Sequence, residues 1–299
     1  MANKIFVASI IGLWLTSMTW LVSERILPSF GGGDPPFAED NETGKAVAWR
    51  VECGGKNVGE AASVRLAGAA GTIDVHNRLR LKNFPLMELA PTWMRLAVGE
   101  IGDMTFDAIT RIEFDPLGNF SSFTSNISLN ERSSVIKLSG RIVDSYLELN
   151  VRAGTFSHMT PVFLPDSKAL NESLFPAAKL RNLQEGRSWQ EEVYSPFSTP
   201  GNPVELVRAK VVGREQIEYV GAICPVFRVE YRRVSGSSVP DKARLLAVSW
   251  VELHEGDVLR RDVYVGQSRL RFERVSDAEA EIIGAKLFEQ ILRARKTLS

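Results

Sequence analysis

The chain has 299 residues, 44% of them hydrophobic, and its 36 Lys and Arg balance 36 Asp and Glu. That balance leaves no basic field to draw nucleic acid or an anionic surface. The hydrophobic share is enough to bury a full core once a terminal apolar segment is set aside.

That segment comes first. After four residues with one charge, Lys4, the run "IFVASIIGLWLTSMTWLV" from Ile5 to Val22 contains no charged side chain. Its length as a helix is about 27 Å, close to the hydrocarbon thickness of a bilayer. A cleavable signal peptide would have a shorter apolar region ending in small residues, whereas Ser23-Glu24-Arg25 follow here. Trp20 suits an interfacial position. The segment is therefore expected to be a single-pass transmembrane signal anchor. Lys4 places the amino terminus in the cytoplasm and the rest of the chain on the extracytoplasmic side. Residues 23–44, including "LPSFGGGDPPFAEDNETG", show no period of 2 or 3.6 and read as a Gly, Pro and acidic tether.

Beyond the tether, residues 45–275 are expected to form an antiparallel β domain, with room for two subdomains dividing near 166–176. A short internal helix is expected around Leu86–Val98, interrupted at Pro91. "RIEFDPLGNFSSF" reads as two strands about an Asp115-Pro116-Leu117-Gly118 turn. In "YLELNVRAG", Leu147, Leu149 and Val151 take one face, and Glu148, Asn150 and Arg152 take the other. "VFRVEYRRV" sets Val229 and Tyr231 opposite Glu230 and Arg232. "ARLLAVSWVELHEGDVLRRDVYVG" turns at Glu255-Gly256-Asp257, and "RLRFERV" returns with Leu270 and Phe272 apolar. One apolar and one polar face per strand predicts a curved antiparallel sheet or half-barrel and argues against a doubly wound parallel sheet. Residues 276–299 predict an amphipathic helix. Ser276 and Glu279 have capping-box spacing, and Ile283, Leu287 and Ile291 make its stripe.

Catalytic constellations are hard to find. His76, His158 and His254 share no metal-ligand spacing, "LHEGD" is not a zinc-protease motif, and neither a nucleophile elbow nor a phosphate loop occurs. No cofactor or metal is implied. Glu191 and Glu192 in "SWQEEVYSPF" are adjacent, and on a strand they point to opposite faces. Trp189, Tyr194 and Phe197 in the same stretch are candidates for the lip of a binding cavity, beside a plainer reading as a strand entering a surface loop. Cys53 and Cys224 read first as separate thiols. An extracytoplasmic location would also permit a disulfide between them, closing a loop of about 170 residues.

The stretches "TRIEFDPLGNFSSF", "KLSGRIVDSYLELNVRAG", "LQEGRSWQEEVYSPF" and "LRRDVYVGQSRLRFERVSD", across Thr110 to Asp277, resemble the half-barrel of Lol-type lipoprotein carriers and related bacterial envelope domains of unknown function. The resemblance implies a concave apolar face that holds acyl chains, with no catalytic or ligand residue to carry across. Those carriers lack a permanent anchor, so the implied role is holding or handing over at the membrane. The expected function is to bind an apolar ligand, a lipid or acyl chain, or an envelope protein partner. The alternative is a structural or assembly subunit without a small ligand.

Overall fold

A computed structural model describes residues 43–84, 104–130, 132–163, 171–172, 176–194, 204–234, 244–265 and 268–296. The apolar segment at 5–22, the tether up to residue 42, the helix expected around 86–98 and most of the 166–176 boundary lie outside the described residues.

The first run of strands is β1 (Ala46–Cys53), β2 (Lys56–Ala67), β3 (Ile73–Phe84), β4 (Met104–Phe114), β5 (Phe120–Leu129), β6 (Arg132–Val143), β7 (Tyr146–Ala153) and β8 (Phe156–Phe163). The second is β9 (Asn171–Glu172), β10 (Ser188–Tyr194), β11 (Val204–Tyr219), β12 (Ala222–Arg233), β13 (Leu245–Glu252), β14 (Val258–Val265) and β15 (Ser268–Arg274), followed by helix α1 (Asp277–Lys296). All belong to one open, curved, 15-stranded sheet ordered β8-β7-β6-β5-β4-β3-β2-β1-β15-β14-β13-β12-β11-β10-β9. Each run is a meander of neighbours, and the two meet where β1 pairs antiparallel with β15, Trp49 opposite Arg274. Only the short β9 runs parallel to its neighbour, β10.

Local chemistry explains the hairpins. In the β4–β5 turn the Asp115 carboxylate accepts hydrogen bonds from Leu117 N at 2.9 Å and Asn119 N at 2.8 Å, and Gly118 takes φ +81°. Alternation then sorts the two faces. Leu147, Leu149 and Val151 are buried while Arg152 is exposed, and Val229 and Tyr231 are buried opposite half-buried Glu230 and Arg232. The inward side chains of both runs join one core containing Val47, Trp49, Leu147, Trp189, Val229 and Phe272. Each such side chain contributes roughly 1.5–3 kcal/mol through burial.

The outer face has a smaller cluster of Ala46, Ala48, Ala62, Val64, Val275 and Ala280, under α1. Small side chains let the helix approach closely. A Cβ added at Gly284 would lie 2.3 Å from Ala46 Cβ. Ser276 Oγ faces Glu279 N at 3.4 Å, a long cap, while the Glu279 carboxylate bonds Arg50 at 3.1 Å instead of returning to the cap backbone. Lys45 and Asp277 pair at 2.8 Å and pin the start of the helix beside the start of β1.

Antiparallel pairing gives the sheet two unlike rims. The proximal rim holds the start of β1, the turns β2–β3, β4–β5, β6–β7, β11–β12 and β13–β14, and the end of β15. The distal rim holds the tight turns β1–β2, β5–β6 and β7–β8. The longer connections 85–103, 195–203 and 234–244 also leave from its strand ends.

Candidate functional site

The inner face of the second run carries the most distinctive group of side chains among the described residues. Register places Trp189, Ala209, Tyr231, Ala247 and Val263 in neighbouring cross-strand pairs, and likewise Val229, Ser249, Arg261 and Phe272. The small residues Ala209, Ala247 and Ser249 lie opposite large ones, which gives Trp189, Tyr231 and Arg261 room to meet. Trp189 meets the Tyr231 ring edge-on at 6.3 Å and 87°, a favoured aromatic geometry. Its indole Nε1 donates to Glu191 Oε2 at 3.1 Å. The Arg261 guanidinium lies 4.8 Å from the Tyr231 ring centroid, as a cation–π contact requires.

This group is buried. Ser249 is 0% exposed, Arg261 8% and Trp189 1%. Burial pushes the Tyr231 phenol well above its ordinary range, and the nearby Glu191 charge pushes it further, against the opposing pull of Arg261. Tyr231 therefore stays protonated at any physiological pH. Ser249 and Arg261 both interact with its hydroxyl and oppose this rise, although neither Ser249 Oγ nor Arg261 Nε meets full hydrogen-bond geometry with a partner among the described residues.

Outer-face arginines behave differently, pairing across strands. Arg78 bonds Asp107 at 2.6 Å, Arg271 bonds Asp262 at 2.9 Å, and Arg260 bonds Glu273 at 2.9 Å. Arg261 has no ion pair among the described residues. A buried cation is costly unless it is paired. An inward guanidinium with an open Nε, beside an open hydroxyl, can receive a carbonyl or carboxyl oxygen.

Nucleophilic catalysis is not assembled here. Ser249 Oγ has no histidine on it. His158 is bonded to Thr160 on edge strand β8, His254 is held by Glu252 in the β13–β14 turn, and His76 is buried on β3. No cluster of three metal-ligating side chains occurs among the described residues.

The proximal end of this interior is closed. Ala178 and Leu180, on the connection leading to β10, enter the core. Ala178 O accepts hydrogen bonds from Val258 N at 3.1 Å and Arg274 Nη1 at 3.2 Å, and Arg274 pairs with Asp257 at 3.0 Å. Outside the sheet, a groove of about 230 Å³ lies between the start of α1 and the β11–β12 hairpin. Four of its charged residues are paired, Arg50 with Glu279 and Arg260 with Glu273.

The candidate residues fall in different parts of the fold. Trp189 lies in the core, its register aiming it inward against Tyr231. Tyr194 ends β10 with its side chain outside the described residues, and Phe197 lies wholly outside them. Cys53 and Cys224 form no disulfide with each other. They stand at opposite rims and on opposite faces, Cys53 against the main core and Cys224 in the outer cluster of Ile217, Val226 and Leu259, so no bridge joins them. Glu191 and Glu192 are neighbours on β10, as expected, and Glu191 turns inward to Trp189. The sequence reading missed Ser249 and Arg261. Adjacent Arg260 and Arg261 must face opposite sides of a strand, but nothing in the spacing tells which one turns inward.

No protein-family model matches the sequence, and no curated protein matches it. Solved structures show a distant likeness to the chain. The chain is similar to a β-barrel-like protein of a domain of unknown function, DUF1849, from Brucella abortus, with 8% identity and a TM-score of 0.47, over 77% of this chain and 95% of that one. It is also similar to a provisionally assigned lipoprotein from Parabacteroides distasonis, with 10% identity and a TM-score of 0.26, over 81% and 98%. The third is a provisionally assigned exported protein with a YmcC-like fold from Bacteroides fragilis, with 11% identity and a TM-score of 0.26, over 81% and 99%.

Proposed function

We propose that Ile5–Val22 anchors the chain in a membrane, that the β-domain is extracytoplasmic, and that its interior holds an acyl-chain ligand. The ligand's carboxyl or ester oxygen would meet Arg261 Nε and Ser249 Oγ, and its chain would lie along the apolar inner face. The observation that carries this reading is the convergence of Ser249 Oγ and Arg261 Nε, both open, beside Tyr231 on the inner face of the second run. A buried donor without a partner costs about 1–3 kcal/mol, which a ligand oxygen would offset. The closed proximal end and the long connections at the distal rim favour entry from the distal side. Ligand sites take this form, apolar walls with a few convergent polar groups.

Mass spectrometry of an organic extract of the full chain, purified from membranes in mild detergent, tests the reading. A stoichiometric acyl-containing molecule is expected, and it should be lost from Arg261→Met purified in parallel. A lipid-free extract accompanied by a stoichiometric envelope protein would overturn the ligand reading in favour of the structural-subunit one. Retention of the same lipid by Arg261→Met would remove Arg261 from the site.

A further inference from the structure

The three most exposed large apolar side chains among the described residues are Leu117 at 83%, Val220 at 66% and Ile223 at 65%. All three stand at the proximal rim, Leu117 in the turn between β4 and β5, Val220 in the turn between β11 and β12, and Ile223 just after it as the second residue of β12. The β11–β12 tip overhangs its neighbour. Val226 pairs with Glu252, the last residue of β13, so Ala222 to Pro225 extend beyond it. The Tyr219 hydroxyl donates to Val275 O at 3.2 Å, and Val275 N donates to Ala48 O at 3.0 Å. The tip is thereby fixed beside the first residues of β1, where the chain arrives from its N-terminal segment.

Val220 is also held in an unfavourable conformation. It takes φ +50° and Gly221 takes φ +75°. A two-residue hairpin turn with both φ positive favours Asn-Gly, and a β-branched residue there is a genuine outlier. Strain without burial gives the fold nothing, and strained residues concentrate where a surface has a task. Leu117 repeats the exposure on a second turn, braced where Pro116 packs beside Gly71 of the β2–β3 turn.

We infer that the proximal rim rests on the bilayer, with Val220, Ile223 and Leu117 entering its interfacial layer. The occupant follows from where the preceding chain ends. Residues 5–22 have the length and composition to lie in the bilayer, and residues 23–44 join them to this rim and to no other. A spacer of that composition and length averages about 25 Å end to end. At that range the rim meets the bilayer at an effective concentration in the millimolar class, so a weak apolar contact suffices. Lys45 is already paired with Asp277 at the same rim, so the contact is apolar and needs no anionic lipid. This inference rests on the anchoring reading above. It adds an orientation, with the distal rim and its long connections facing away from the membrane.

The test uses the full chain in phosphatidylcholine vesicles that carry acyl-chain quenchers. The native cysteines are replaced by Cys53→Ala and Cys224→Ala. Single labels are then placed by Val220→Cys, Leu117→Cys and, as the distal control, exposed Thr155→Cys. Flotation after carbonate washing reports anchoring separately. Quenching at 220 and 117 at least twofold above that at 155 is expected. Val220→Asn should lower quenching of the label at 117 while leaving the melting temperature unchanged or higher. Chains that float with the labels at 220 and 117 no more quenched than 155 would overturn the rim contact and leave the anchor standing. Chains that fail to float would overturn both.

Discussion

Two inward-facing polar groups occupy corresponding places in the two runs of this sheet, and they are built in opposite ways. In the first run, Asn77, Thr110 and Ser125 lie in register on β3, β4 and β5, and Thr110 Oγ1 donates to Ser125 Oγ at 2.9 Å. That pair is neutral, short and closed on itself. In the second run, Glu191, Ser249, Tyr231 and Arg261 bring charges inward, and two of their atoms stay open. The first group also keeps one open atom, Asn77 Oδ1, so the difference between the two lies in charge: the first is neutral, and the second buries an arginine with no ion pair among the described residues.

The largest expected effect sharpens the second group. Trp189→Ala removes a fully buried indole and also the donor on Glu191, leaving a buried carboxylate short of one partner. Truncating a buried Trp costs about 3–5 kcal/mol. Urea unfolding should place Trp189→Ala at or above the upper end of that range. A loss under about 2 kcal/mol would mean that the Trp189–Tyr231 contact contributes little beyond area.

The first group is smaller but cleaner. Thr110→Val keeps the shape and strands the Ser125 hydroxyl, at a cost of about 1–3 kcal/mol. Adding Ser125→Ala should restore most of it, because two apolar groups replace a matched pair. The coupling measured in such a double-mutant cycle should exceed about 0.5 kcal/mol. Arg261→Met is the counter-case. If the guanidinium is kept for a ligand, replacing it with an apolar side chain of similar length should change stability by under about 1 kcal/mol, or raise it. A destabilisation comparable to that of Trp189→Ala would make Arg261 a structural residue.

Much of this was open to reading in the sequence, for reasons visible in particular residues. The Asp115 to Gly118 turn and the alternation of Leu147, Leu149 and Val151 are local signals, and the structure keeps both. The spacing that separates Glu191 from Glu192 also puts Glu191 on the same face as Trp189, two residues away. That signal was present, and it marks the interior cluster better than a lip did. The centre of the sheet was not legible, because β1 pairs with β15 across almost the whole chain and no local pattern encodes that partner. Arg261 was hidden by a register shift between Trp250 and Val251, which breaks the alternation along β13 and β14. The Ser276–Glu279 spacing predicted a reciprocal cap, but Arg50 from β1 takes the Glu279 carboxylate instead. Tertiary partners outcompeted the local one.

The finest distinction between the two polar groups is their response to alkali. Thr110 and Ser125 do not titrate, whereas Tyr231 does. Its ordinary value is 10.0, and burial beside Glu191 raises it in the folded protein. The sign follows from proton binding. Above pH 10 the unfolded phenol loses its proton while the folded one keeps it, so the folded state binds more protons and stability falls as pH rises. The contribution is fully present below about pH 10 and is lost above it, by at most about 1.4 kcal/mol per pH unit. Tyr219 is also raised, chiefly by burial, and shifts stability in the same direction, so the wild-type slope alone does not isolate Tyr231. Tyr231→Phe does. Stability measured by urea unfolding between pH 9 and 11 should fall less steeply in Tyr231→Phe than in the wild type, with the two curves separating only above about pH 10. Parallel curves across that interval would show that the phenol is reached by water in solution and that the interior of the second run is more open than its burial implies.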